Sequence, residues 1–184
     1  STPCGTLFPY TTLFRSPMSQ PLISIILVNY RQTEATADCL RACQALTYPQ
    51  TELIVVDNGA LEDPSPRWRA VAPGVKILSS PQNLGFAKAN NLGLAHAEGE
   101  FVLFLNNDAL PTSGLLEPLL EALHTAPELG GVSPVILKAR PEGQIQFAGY
   151  THIHPLTGRN RGIGTITALF REFQRYPEPS PAGV

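Results

Sequence analysis

Three groups of amide and carboxylate side chains are placed where they could meet a ligand: Asn29-Tyr30, Asp57-Asn58-Gly59 and Asn106-Asn107-Asp108. Each directly follows an apolar run, Leu22 to Val28, Leu53 to Val56 and Phe101 to Leu105 respectively. A further stretch, Asn83-Leu84-Gly85-Phe86-Ala87-Lys88-Ala89-Asn90-Asn91-Leu92-Gly93, supplies a glycine that lets backbone approach a ligand closely. The helix that starts there offers free N–H groups to negative charge. An anionic ligand is the chemistry this set suits. The plainer alternative is that Asn and Asp merely turn the chain after a strand, with Asp57 closing an Asx-turn into Asn58-Gly59. For Lys88 an ordinary exposed helix lysine is the preferred account over a phosphate contact.

Other chemistry-bearing residues have weaker support. His152-x-His154 puts two imidazoles on one face of an extended segment, yet no third ligand lies nearby in sequence, so surface histidines are the expectation. Cys39 and Cys43 are one helical turn apart and read as core. Arg159 and Arg161 stand between glycines and could either grip a phosphate or sit in a solvated loop. There is no Gly-x-Gly-x-x-Gly fingerprint and no Walker loop, which counts against dinucleotide and ATP binding.

The elements that must position these residues follow from periodicity. Leu22 to Val28 and Leu53 to Val56 are continuous β-branched runs, expected as strands buried on both faces, and Phe101 to Leu105 is read in the same way. Thr33 is expected to cap a helix with apolar positions Cys39, Leu40, Cys43 and Leu46, stopped by Tyr48-Pro49. A Pro-broken segment spans Asp63 to Pro73, a strand is expected at Val75 to Leu78, and a small-residue helix from about Phe86 to Ala97. Leu115 to Leu123 reads as a helix, Val132 to Leu137 as a last apolar run, and Gln144 to Tyr150 as a strand. Alternation of this kind predicts an α/β domain with a mostly parallel sheet flanked by helices. Ligands of such sheets bind beyond the carboxyl ends of the strands, so the three polar clusters are expected to meet at one edge.

Composition narrows the class further. The chain has 184 residues, 43% hydrophobic and 15% charged, enough for one sizeable core. Thirteen Lys plus Arg against fifteen Asp plus Glu give a net charge of −2, which does not suggest a generic polyanion binder, and no nucleic-acid partner is expected. Apolar runs are far short of the roughly 20 residues needed to span a bilayer, so a soluble chain is expected. Three cysteines and no Asn-x-Ser/Thr acceptor fit a reducing, cytoplasmic setting. Ser1 to Pro17 is expected to be a non-native or disordered lead before Met18, the single methionine, with the domain at 18–176 and a proline-rich frayed tail at 177–184.

Taken together, Val28-Asn29-Tyr30, Val56-Asp57-Asn58-Gly59, the Asn83 to Gly93 stretch and Asn106-Asn107-Asp108 resemble the family 2 glycosyltransferases of the GT-A fold, over roughly Pro21 to Gly149. The rhamnosyltransferase-like members are most similar, since they too carry an Asn-Asn-Asp form of the metal motif. The resemblance implies a Rossmann-like GT-A nucleotide-sugar-binding half. It implies inverting transfer of a sugar from a UDP- or dTDP-sugar donor to a glycan, lipid-linked or protein acceptor, as in cell-wall or polysaccharide biosynthesis. By the same resemblance Val28, Asn29, Tyr30, Asp57, Asn58, Gly85, Phe86 and Asn90 bind the nucleotide, with Asp57 on the base. Asn106, Asn107 and Asp108 then form the donor-sugar and metal motif. A donor diphosphate needs its charge neutralised, and Mg²⁺ or Mn²⁺ held by one carboxylate plus phosphate oxygens does so. Asp108 is placed to be that carboxylate, while the neutral Asn106 and Asn107 orient water or sugar hydroxyls and leave metal affinity modest.

The family pattern breaks in two places. Ala60 stands where a Ser or Thr is usual. The general base of inverting transfer belongs, by resemblance, to a later Glu-Asp-type motif. Here Glu62-Asp63 comes too early, and past Asp108 the acids Glu117, Glu121, Glu128, Glu142, Glu172 and Glu178 adjoin no Asp. The chain therefore resembles a donor-binding half ending before the acceptor half, and a catalytically silent nucleotide-sugar-binding fragment is the alternative. A missing half would expose apolar surface, so self-association or contact with a membrane surface is expected.

Overall fold

The computed structural model describes residues 20–126, 128–139, 143–150 and 154–162. The expected lead at 1–17, the tail at 177–184 and His152 lie outside them. The chain divides into two compact units, up to Ser113 and from Gly114.

In the first unit β1 (Ile23–Asn29), β2 (Thr51–Asn58), β3 (Lys76–Ser80) and β4 (Phe101–Asn106) form one parallel sheet in the order β3-β2-β1-β4. Between them run α1 (Thr33–Gln44), α2 (Ser65–Val71) and α3 (Phe86–Leu94). β1 has neighbours on both sides, and Ile25, Ile26 and Leu27 are fully buried, as are Ile54, Val55 and Val56 of β2. The chain steps outward from β1 to β3 and then returns to the other flank of β1 as β4. That reversal opens a crevice between the carboxyl ends of β1 and β4.

Side-chain alternation decides what each face carries. Asn29 and Asp57 are register partners, and Thr36 of α1 bonds Asn29, so α1 covers their face. Ile26 and Val56 belong to the opposite face, where α3 packs so closely that a Cβ on Gly93 would lie 2.6 Å from Ile26 Cγ2. Helices thus flank both faces, as the apolar runs of β1 and β2 require.

Several expectations need correction. Phe101 to Leu105 is not a buried strand: among the described residues it is an outer strand of the sheet, and Phe104 is 51% exposed. Apolar content alone does not distinguish an edge from a centre. Thr33 does not cap α1. It is the first helical residue after the N-cap Gln32, which makes no side-chain cap hydrogen bond and whose own backbone N–H donates to Asn29 Oδ1 at 3.1 Å. The helix ends at Gln44, before Tyr48, which is buried with its hydroxyl donating to the Pro21 carbonyl at 2.7 Å.

The segment read as broken by prolines contains α2. Pro66 falls in the first turn, where its missing N–H costs nothing, and the fully buried Trp68 donates its indole N–H to the Thr33 carbonyl at 3.1 Å. The third strand lies at Lys76–Ser80 rather than Val75 to Leu78, and α3 stops at Leu94 rather than Ala97.

The second unit holds α4 (Leu116–Thr125), with Leu116 and Leu120 buried, and an antiparallel pair of β5 (Ile136–Leu137) and β6 (Ile145–Phe147). The expected run from Val132 pairs only at Ile136–Leu137, because Pro134 cannot donate to a ladder.

Candidate functional site

The three polar clusters converge as the topology demands. A cleft of about 430 Å³ opens beyond the strand ends. Val28 of β1 and Tyr30 just past it, Leu105 and Asn106 of β4 with Asn107 and Asp108 just past it, and Asn58 of β2 line it, with Gln32, Asn83, Gly85 and Phe86 completing the wall. Val28 and Asn106 are register partners, so the two sides meet at the switch point.

The wall formed by the loop before α3 is held by amides. Asn58 Nδ2 donates to Asn83 Oδ1 at 2.9 Å, and Asn58 Oδ1 accepts the Leu84 N–H at 2.7 Å. Asn83 Oδ1 also accepts the Gly85 N–H at 2.8 Å. Gly59 passes so near that a Cβ would lie 3.0 Å from Asn83 N. Gly85 has φ +77° with open space where its Cβ would be, so glycine is selected there by backbone conformation and not by crowding. The N-terminus of α3 follows at once, next to Phe86, which is 67% exposed on the cleft wall. Tyr30, 43% exposed, carries the Arg31 guanidinium at 5.1 Å from its ring centre.

Not every expected residue reaches the cleft. Asn29 is fully buried, and its amide is used structurally: Nδ2 donates to Asp57 Oδ1 at 3.2 Å, while Oδ1 accepts from Gln32 N–H and from Thr36 Oγ1 at 3.0 Å. Alternation turns Asn29 and Asp57 to the α1 face, whereas Val28, Asn58 and Asn106 stand on the other. Asp57 is 6% exposed and is likewise absent from the cleft lining. Asn90 is buried within α3, its Nδ2 donating to the Phe86 carbonyl at 3.0 Å. Lys88 is exposed and outside the lining. Gln32, Asn83 and Leu105 line the cleft without being among the expected site residues. Of these only Asn83, opening the Asn-Leu-Gly stretch, had a signal in the sequence.

The Asn106–Asp108 turn is fastened to α1. Asn107 Nδ2 donates to Thr36 Oγ1 at 3.0 Å and to Gln32 Oε1 at 3.2 Å, and the buried Cys39 thiol donates to the Asn106 carbonyl at 3.6 Å. The Cys43 side chain and burial push the Cys39 thiol up, so it stays neutral and both cysteines belong to the core. Asp108 is exposed at the cleft.

No group of three His, Cys, Asp or Glu is assembled among the described residues. One exposed carboxylate beside amide oxygens is a hard donor set. It fits Mg²⁺ or Mn²⁺ shared with a ligand's phosphate and water, and does not fit a closed zinc cage. His154, Arg159 and Arg161 belong to the second unit and are exposed.

The model of glycosyl transferase family 2 matches residues 24–171. The chain belongs to that family. An uncharacterised glycosyltransferase of Haemophilus influenzae is 31% identical over 106 residues, covering 56% of this chain and 42% of that protein. Poly-beta-1,6-N-acetyl-D-glucosamine synthase of Staphylococcus epidermidis is 27% identical over 162 residues, covering 83% of this chain and 39% of the synthase. The chain thus spans about two fifths of these relatives' length.

Among solved structures, the mannosyltransferase PcManGT of Pyrobaculum calidifontis, in complex with GDP-Man and Mn²⁺, superposes with TM-score 0.60 at 25% identity, over 66% of this chain and 37% of that one. TarS of S. aureus with UDP-GlcNAc superposes with TM-score 0.54 at 21% identity, over 64% and 38%. The GT-A fold expected for the family 2 chain is the fold found, a parallel sheet flanked by helices. Among the described residues no helix is long and apolar enough to cross a membrane.

Proposed function

We propose that this chain binds a nucleoside-diphosphate sugar in the cleft between the ends of β1 and β4 and serves inverting, divalent-cation-dependent glycosyl transfer to a glycan, lipid or protein acceptor. The observation that carries this is the meeting, at one switch point, of the Gly85 backbone, the α3 N-terminus and the Asp108 carboxylate. Free N–H groups favour the donor's negative charge, and the partly exposed rings of Tyr30 and Phe86 on the cleft wall offer apolar surface to a base. A cation at Asp108 would neutralise charge developing on the departing diphosphate. Asn106 and Asn107 orient sugar hydroxyls or water beside it. Family membership supports the reading, as do PcManGT with GDP-Man and Mn²⁺ and TarS with UDP-GlcNAc. Asp57, buried against Asn29, fixes the strand ends from beneath.

Donor binding without transfer is the second reading, favoured by the acids past Asp108, none of which adjoins an Asp. Calorimetric titration of UDP, dTDP and GDP, with and without Mn²⁺, tests the donor site. Release of nucleoside diphosphate from UDP-GlcNAc or GDP-Man with an added glycan acceptor then separates the two readings. Binding with release supports transfer, binding without release supports the second reading, and no binding by the folded chain overturns both.

A further inference from the structure

We infer that Thr36 is a positioning residue for the donor site: from within α1 its hydroxyl fixes which end of the Asn107 amide faces the protein and so sets the donor atoms beside Asp108. The inference rests on the reading of the Asn106–Asp108 turn as the phosphate and cation site. Thr36 is fully buried, and a hydroxyl there is costly unless it is satisfied on both sides. Its oxygen accepts from Asn107 Nδ2 at 3.0 Å, and its proton is shared between Asn29 Oδ1 at 3.0 Å and the Gln32 carbonyl at 3.1 Å.

The polarity of this chain is determined at Asn29. A backbone N–H can only donate, so Asn29 must turn its amide oxygen to Gln32 and Thr36 and its nitrogen to Asp57. Thr36 then donates to Asn29, which leaves its oxygen as the acceptor for Asn107. Both amide hydrogens of Asn107 are used, one on Thr36 and one on Gln32. Its Oδ1 is the remaining polar atom, and an oxygen is what a hard cation or a sugar hydroxyl takes. A string of donors running Asn107, Thr36, Asn29, Asp57 thus joins the ends of β4 and β1 to that of β2 through one helix residue. Without the hydroxyl the Asn107 amide loses the partner that tells its two ends apart. That loss would be felt at the cation and less by the nucleotide alone.

The test uses the full chain, with UDP and GDP as probes, each with and without Mn²⁺, and a thermal melt beside every titration. Thr36→Val keeps the shape and deletes the hydroxyl, and Thr36→Ser keeps the hydroxyl and deletes a methyl. Valine is expected to weaken Mn²⁺-dependent binding about tenfold with little change in metal-free binding, and serine to stay within about threefold of wild type. Losses that follow melting temperature in both variants, or a valine variant that binds like wild type, would overturn the role. Should valine fail to fold, Gln32→Leu removes the other acceptor of the Asn107 amide at an exposed position. It is expected to lower the Mn²⁺-dependent part alone, and no change there overturns the inference. A folded wild type that binds neither probe would instead refute the donor site itself.

Discussion

Asn29 and Asp57 end β1 and β2 as register partners, and the Asn29 amide donates to Asp57 Oδ1 at 3.2 Å in a place with almost no exposure to solvent. The same side chain supplies the oxygen that accepts from Gln32 N–H and Thr36 Oγ1, so one amide ties two strands to the start of α1. Asn29→Ala would leave a carboxylate and a hydroxyl short of partners. It is expected to destabilise the chain by about 2–4 kcal/mol, seen as a lower urea midpoint at unchanged slope. A shift worth less than about 0.5 kcal/mol would contradict this account of the strand ends.

Packing of α3 gives a second prediction. Alanine at Gly93 would gain about 1 kcal/mol in helix propensity, but its Cβ would lie 2.6 Å from Ile26 Cγ2 in the fully buried centre of β1. Overpacking costs about 1–3 kcal/mol, so a net loss near 1 kcal/mol is expected for Gly93→Ala. Gly74→Ala, whose Cβ meets nothing within 4 Å, serves as the control and should stay within about 0.5 kcal/mol of wild type. A Gly93→Ala variant more stable than wild type would mean that α3 is not seated this closely.

Acid sensitivity arises at the other end of the sheet. Burial raises the Glu52 carboxyl, yet the Ser24 hydroxyl at 2.5 Å, the Glu98 backbone N–H at 2.6 Å and the Lys76 ammonium at 3.6 Å outweigh it and hold Glu52 below its ordinary value. A lowered folded-state pKa stabilises fully above the unfolded value, and that contribution is lost as pH falls through the folded one. Stability should therefore decline below about pH 4, and Glu52→Gln should flatten the decline. The exposed Glu34 and Asp63, also held low by Arg67 and by Ser65, leave a residual slope. Identical pH profiles for wild type and Glu52→Gln would remove Glu52 from the account.

How far the sequence was legible depended on which physical quantity each element expressed. β1 and β2 were readable because strands covered on both faces must be continuously apolar, and the sheet end carrying the site followed from parallel topology. β4 has the same apolar run but is an outer strand among the described residues, a fact of strand order that no local pattern records. α2 was hidden because proline was read as a breaker when, in a first turn, it starts a helix.

Gly85, Asn58 and the Asn106–Asp108 turn line the cleft as residue type and position lead one to expect. Asn29, Asp57 and Asn90 do not line it, since strand alternation and a helix's own carbonyl engage their side chains elsewhere. Thr36 and Gln32 gave no signal, because a polar residue early in a helix is ordinary until its partner from β4 is known.

The central claim is that Asp108 and the cleft beside it bind a donor's diphosphate together with a cation. It is tested most directly by calorimetric titration of UDP and GDP, with and without Mn²⁺, into wild type and Asp108→Ala. Asp108 is exposed, so the variant is expected to fold and melt like wild type. The account predicts nucleotide binding by wild type that Mn²⁺ strengthens, and loss of that strengthening by at least about tenfold in Asp108→Ala. Equal Mn²⁺-dependent binding by both proteins, or no binding by the folded wild type, would contradict it.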